Sequence, residues 1–192
     1  LICYFHLFFT MLFFLVIFST MYCHAVFQLL QILYDLIDLE DPLFKDLLKR
    51  QLDDDLVLTK TTCPIGVIGV IFESRPDALV QIASLCIKSG NCIILKGGSE
   101  ARNTNRALFD VIYKACIDSG LPEHFAVLIE DRAEISELLK CHDYVDLLIP
   151  RGSNQFVQYI MANSKIPVMG HADGICHVYV DKDADLQKAV PI

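Results

Sequence analysis

The stretch IGVIGVIFESRPDALVQIASLCIKSGNCIILKGGS, residues 65–99, decides the fold. Ile65 to Phe72 is a short apolar run rich in β-branched residues, bounded by polar ones, which is the signature of a strand. Asp77 to Lys88 then places Leu79, Ile82, Ala83 and Cys86 at helical intervals, so that they share one face. Ser89-Gly90-Asn91 stops that helix, since a glycine just past the last turn accepts the left-handed conformation that ends it. Cys92 to Leu95 is a second apolar strand. Two strands with no polar alternation, joined by an amphipathic helix, predict a right-handed βαβ unit in a parallel sheet covered on both faces.

The cycle continues downstream. Ser99 is placed to cap a helix whose inner stripe is Leu108, Val111, Ile112 and Ala115, ended by Gly120-Leu121-Pro122. Phe125 to Ile129 reads as the next strand, and Asp131 with Glu134 as a capping box for a helix carrying Ile135, Leu138 and Leu139. Val145 to Ile149 is a further strand, followed by Pro150-Arg151-Gly152-Ser153 and a helix with Phe156, Val157, Ile160 and Met161 inward. Ile166 to Met169 and Ile175 to Val180 close the series as strands. Upstream, Asp35 to Asp55 has Leu43, Leu47 and Leu48 at helical intervals after Pro42 and is expected to be a helix. The fold class is α/β, a Rossmann-like parallel sheet.

Composition divides the chain. The net charge is -8, yet residues 1–34 contain no Asp, Glu, Lys, Arg, Gly or Pro and hold seven of the twelve Phe. All the charge therefore belongs to residues 35–192, enough for one ordinary core and too few for a second full domain. With 24 acidic and 16 basic residues and no Lys/Arg cluster, the electrostatic footprint of a nucleic-acid binder is missing. The eight cysteines show no Cys-x-x-Cys pair or metal-ligand spacing, so they read as reduced core thiols, with no metal site and no disulfide framework. Residues 1–34 are long enough to span a bilayer but lack the basic flank and cleavage pattern of a signal peptide. An anchor, the tail of an upstream region and a non-native leader are the three readings of that segment.

Ligands of open parallel sheets lie beyond the carboxyl ends of the strands. There the sequence puts Glu73-Ser74-Arg75-Pro76-Asp77, Lys96-Gly97-Gly98-Ser99, Glu130-Asp131-Arg132 and Pro150-Arg151-Gly152-Ser153. The second and fourth combine glycine, which lets a ligand approach the backbone, with a serine before a helix whose N–H groups suit a phosphate. Ordinary helix capping explains the same residues. A Gly-x-Gly-x-x-Gly fingerprint is absent, so the standard dinucleotide motif is not the one in use.

Five motifs in order resemble one family. Ile71-Phe72-Glu73-Ser74-Arg75-Pro76-Asp77, Ser89-Gly90-Asn91, Leu95-Lys96-Gly97-Gly98, Ile149-Pro150-Arg151-Gly152-Ser153 and the run Gly170-His171-Ala172-Asp173-Gly174-Ile175-Cys176-His177-Val178-Tyr179-Val180-Asp181 are similar to those of the gamma-glutamyl phosphate reductases. These are the glutamate-5-semialdehyde dehydrogenases, a branch of the aldehyde dehydrogenase superfamily that occurs alone or as the C-terminal half of delta-1-pyrroline-5-carboxylate synthase. The resemblance covers about Leu39 to Lys188. It leaves residues 1–34 as an unrelated apolar segment and 35–192 as a partial NADP-binding domain.

The resemblance implies an oxidoreductase that reduces L-glutamyl 5-phosphate with NADPH in proline biosynthesis. A cysteine thiolate would displace phosphate and form a thioester, which is a good hydride acceptor. Lys96, with Gly97, Gly98 and Ser99, is implied in binding the adenosine ribose or its phosphate, and Gly152 and Ser153 in facing the pyrophosphate. NAD-favouring relatives often carry Glu three residues after that lysine; Ser99 stands there, which favours NADP. Glu73, Arg75, Asp77 and His171 are implied on the substrate side, His171 standing where the wider superfamily has a catalytic glutamate.

Cys176 and His177 lie in an expected strand, where a thiol is ordinary core. The family's nucleophilic cysteine is expected beyond Ile192, together with the second domain and the oligomerisation arm. The chain is therefore expected to be a fragment that is inactive by itself. A cytoplasmic location, a homo-oligomer in the full-length family and a glutamate kinase, fused or separate, are further implications. The competing expectation is a membrane-tethered, catalytically inactive cofactor-binding or interaction module, suggested by the apolar head.

Overall fold

A computed structural model of the chain describes residues 23–73, 76–131, 133–170, 177–185 and 187. Its centre is a four-stranded parallel sheet of β3 (Val67–Ile71), β4 (Cys92–Lys96), β5 (Ala126–Ile129) and β6 (Leu147–Pro150), in the spatial order β5-β4-β3-β6. Chain order runs outward from β3 through β4 to β5, then crosses back to put β6 on the other side of β3. That reversal is a topological switch point, and it lies between β3 and β6.

The register makes the strand ends level. Lys96 pairs with Ile129 and with Ile71, and Ile71 pairs with Pro150. Ile129, Lys96, Ile71 and Pro150 thus form one row across the sheet, and the loops that follow them all leave from one rim.

Helices α2 (Pro76–Lys88), α3 (Arg102–Asp118), α4 (Ala133–Leu138) and α5 (Asn154–Asn163) connect and cover the strands. Two buried clusters result. The larger joins Val70, Leu79, Ile93, Leu95 and Ile112; the smaller, on the β6 side, joins Leu138, Leu148, Ile160 and Ile166. The turn after α2 forms as expected, with Asn91 N–H donating to the Cys86 carbonyl at 2.9 Å.

Helix α1 (Cys23–Asp38) packs on the larger cluster. The boundary expected after Tyr34 falls inside this helix, whose Leu33 and Leu36 are both buried. Lys88 closes its far end, its Nζ donating to the carbonyls of Leu36 at 2.7 Å and Leu39 at 2.6 Å. An ammonium there satisfies unpaired carbonyls and matches the negative end of the helix dipole. No helix among the described residues is long and apolar enough to cross a membrane; residues 1–22 of the segment considered as an anchor lie outside them.

Three expectations are corrected. Asp35 to Asp55 is not one helix: α1 stops at Asp38, and a hairpin of β1 (Asp46–Asp53) and β2 (Leu56–Thr61) follows. The two-residue turn Asp54-Asp55, with Asp55 at φ 60°, and the β-branched residues of β2 override the leucine spacing. Ile166 to Met169 contributes only a single bridge, Leu148 with Val168. Of the strand expected over Ile175 to Val180, residues 177–180 are not strand and are exposed, while 175 and 176 lie outside the described residues.

Leu148 is fully buried in β6, opposite Gly69 of β3. Leu148→Ala is expected to cost about 3 kcal/mol, because truncating a buried leucine loses both burial and packing. Urea unfolding checks this; a change below about 1 kcal/mol would mean that β6 is not packed as described.

Candidate functional site

The level row of strand ends opens into a cleft of about 250 Å³, lined by Ile71, Phe72, Glu73, Lys96, Gly97, Gly98, Ser99, Glu100, Glu130, Ile135 and Phe156. Its floor is therefore the ends of β3 and β4, with the end of β5 on one side. Its apolar walls come from α4, through Ile135, and α5, through Phe156. The loops that supply it are tied to the sheet: Phe72 N–H donates to the Lys96 carbonyl at 2.9 Å, and Arg151 N–H to the Ile71 carbonyl at 2.7 Å.

Lys96 is buried, at 6% exposure, yet borders the cleft. Its ammonium donates to the carbonyl of Gly97 at 2.6 Å, which anchors the charge at the floor. A buried ammonium needs such a partner, and a polar ligand could supply more. Gly97 is required by close approach, since a methyl group there would overlap Asn105 Nδ2 and press on Phe72. Asn105 is 3% exposed, and its Oδ1 has no hydrogen-bond partner among the described residues. It lines a small recess beside the cleft with Gly97, Gly98, Arg102, Leu128, Ile129 and Glu130.

Ser99 borders the cleft but does not cap a helix, contrary to expectation. It opens a 3₁₀ turn, Ser99–Ala101, and α3 begins at Arg102 after Ala101, which offers no capping side chain. Ser99 is exposed at the cleft edge. Ser153 does act as a cap: its Oγ accepts from Phe156 N–H at 3.2 Å. It is not among the residues lining the cleft. Gly152 lies beside the cleft, in close packing with Glu73 and Phe156; a side chain there would come within 3.2 Å of the Glu73 carboxylate and 3.3 Å of the Phe156 ring.

Of the residues implied on the substrate side, Glu73 lines the cleft. Asp77 sits in the first turn of α2, outside the lining. Arg75 and His171 lie outside the described residues, as does Cys176.

An ion-pair cluster was not anticipated. Glu130, just past β5, is gripped by two arginines of α3: Arg106 Nε donates to one carboxylate oxygen at 2.7 Å and its other arm to the second oxygen, where Arg102 also donates at 3.0 Å. Hydrogen bonds from Arg106, then from Arg102, hold the Glu130 carboxyl below the usual carboxylate range. The sequence signal was present in Arg102 and Arg106, four apart on one helix, but their common partner is a long-range contact. Glu134 does form its half of the expected capping box, accepting from Asp131 N–H at 2.9 Å.

Among the described residues, three cysteines lie at the opposite edge. Cys92 begins β4, while Cys86 and Cys116 sit in the last turns of α2 and α3, which return to the amino ends of the strands. Burial pushes both Cys86 and Cys116 up to about 11, so neither is a thiolate at neutral pH. Cys63 and Cys92 are exposed. No cluster of three His, Cys, Asp or Glu side chains among the described residues could hold a metal.

Comparison with known proteins gives a consistent set of relatives. The model of the aldehyde dehydrogenase family matches residues 39–192. A gamma-glutamyl phosphate reductase of Pelotomaculum thermopropionicum is 61% identical over 165 residues, covering 86% of this chain and 38% of that protein. The crystal structure of gamma-glutamyl phosphate reductase from Thermotoga maritima superposes with a TM-score of 0.83 at 36% identity, covering 87% of this chain and 41% of that one. The Saccharomyces cerevisiae gamma-glutamyl phosphate reductase structure gives 0.71 at 46% identity, over 88% of this chain and 43% of that one. The chain spans a little over a third of the length of the curated relatives it matches.

Two outcomes follow from this geometry. Gly97→Ala should cost about 2 kcal/mol through overpacking against Asn105, read as a lowered Tm; an unchanged Tm would contradict the close approach. Labelling of the native chain with Ellman's reagent and peptide mapping should find Cys63 and Cys92 modified well before Cys86 and Cys116. Early modification of either buried thiol would contradict the burial described.

Proposed function

Because the chain belongs to the aldehyde dehydrogenase family, we propose that its cleft holds a nicotinamide dinucleotide and that it serves the NADPH-dependent reduction of L-glutamyl 5-phosphate to L-glutamate 5-semialdehyde in proline biosynthesis. The substrate part of this reading rests on relatives at 61% and 63% identity that carry the name gamma-glutamyl phosphate reductase. The cofactor part rests on one observation: a buried lysine, two glycines and an exposed serine in sequence at the cleft floor.

The residues fit such a group. Lys96 would meet the adenosine ribose or its phosphate, with Gly97 and Gly98 leaving the backbone open and Ser99 offering a hydroxyl. Gly152 and the Ser153-capped start of α5 would face the pyrophosphate, where helix N–H groups and the dipole favour an anion. Ile135 and Phe156 would flank a flat base with apolar surface. The cofactor, when bound, supplies the hydride.

The chain's own residues bind and orient. Glu73 would orient substrate from the end of β3, with Arg75, Asp77 and His171 as the further substrate contacts. The five cysteines whose side chains are described line no part of the cleft, and this reading assigns the nucleophile to none of them. An acyl phosphate substrate must come from a kinase acting on glutamate, fused or separate. The hairpin β1–β2 leaves Leu47, Leu52, Leu56, Val57 and Leu58 exposed, which supports burial of that surface in a homo-oligomer. A cytoplasmic setting accords with reduced thiols.

NADP preference follows from Ser99, since a carboxylate at that position would repel a 2'-phosphate. Calorimetric titration of the 192-residue chain should give tighter binding of NADPH than of NADH. Ser99→Glu should weaken NADPH about tenfold and leave NADH within about twofold, the size expected of one charge across a solvated cleft. Tighter binding of NADH by the unaltered chain would overturn the preference.

A further inference from the structure

Among the described residues, the charged groups lining the cleft are Glu73, Lys96, Glu100 and Glu130. Any of these three carboxylates left unmasked works against a ligand that carries a pyrophosphate and a 2'-phosphate, because like charges in a partly desolvated cleft repel. Glu130 is the most enclosed of the three, its side chain only 15% exposed. It also borders the recess beneath Gly97 and Gly98, so its charge stands close to the lysine loop.

The two arginines of α3 alter this balance. Arg102 and Arg106 lie one turn apart and both reach Glu130, Arg106 through both carboxylate oxygens and Arg102 through one. A bidentate guanidinium is the strongest and most directional partner a carboxylate has. Their own side chains are 53% and 60% exposed; neither lines the cleft, and Arg102 borders the recess beside it.

We propose that Arg102 and Arg106 are positioning residues for cofactor specificity, neutralising Glu130 so that the cleft accepts a 2'-phosphorylated adenosine. The role is indirect: the arginines act on Glu130, and Lys96 with Ser99 meets the phosphate. The pair of guanidinium groups offsets the charge of Glu130. Removing them unmasks a carboxylate beside the lysine loop, and removing that carboxylate as well makes them dispensable. This inference rests on the dinucleotide reading of the cleft.

The test is a titration of the full chain with 2',5'-ADP and with ADP. Unaltered, it should bind 2',5'-ADP more tightly. Arg102→Gln with Arg106→Gln should weaken 2',5'-ADP about tenfold, as expected for one unmasked charge in a screened cleft, and ADP less. Adding Glu130→Gln should restore 2',5'-ADP to within about threefold of the unaltered chain, since no charge then remains to be masked. Loss without that restoration would overturn the proposal and mark the arginines as direct ligands or as supports of the fold. Glu130→Gln alone, which keeps both arginines, should bind 2',5'-ADP as tightly as the unaltered chain or more so; weaker binding would overturn the proposal independently. If the unaltered chain bound neither nucleotide, the dinucleotide reading would fail first and the masking role with it.

Discussion

Everything at the candidate site depends on the register of the parallel sheet. Ile71 is paired in register with Lys96 on one side and Pro150 on the other, and Lys96 with Ile129. That single row fixes where four loops begin. A slip of one residue in β4 would turn Lys96 to the opposite face and carry Gly97 off Asn105, because neighbouring strand residues point to opposite sides. The register is in turn held by burial: Ile68, Val70, Ile93, Leu95 and Leu148 are all nearly inaccessible to solvent, and a one-residue slip of a strand would carry its buried side chains to the other face.

Much of this was legible in the chain itself. The βαβ units around residues 65–99 show in apolar runs and helical spacing, because local period and tertiary burial agree there. Elements failed to be legible where the two conflict. The leucines of Asp46–Asp53 have helical intervals, but the Asp54-Asp55 turn and the Thr- and Val-bearing partner strand make a hairpin instead. Ser99 stands before a helix in sequence, as a cap does, yet a 3₁₀ turn intervenes and leaves it at the cleft. In the same way, the Glu130 cluster joins residues 24 and 28 positions apart, which no local pattern reveals.

The sheet also separates chemistry between its two edges. Glycines, Lys96 and the acidic side chains gather at the carboxyl rim, whereas the buried thiols Cys86 and Cys116 lie toward the amino rim in an apolar setting that holds them protonated. Apolar burial that raises a thiol removes its nucleophilicity, so the abundance of cysteine in the sequence carries packing rather than catalysis in these helices. Under the proposed function, the cleft would bind and orient a charged, planar ligand.

Hydrogen–deuterium exchange of the full chain with and without NADPH tests the central claim most directly, that the level strand ends form a cofactor cleft. Binding should slow exchange in residues 97–101, 130–135 and 152–157, with the hairpin at residues 46–61 unchanged. Protection confined to the hairpin or to the amino rim, with those three loops unaltered at saturating NADPH, would contradict it.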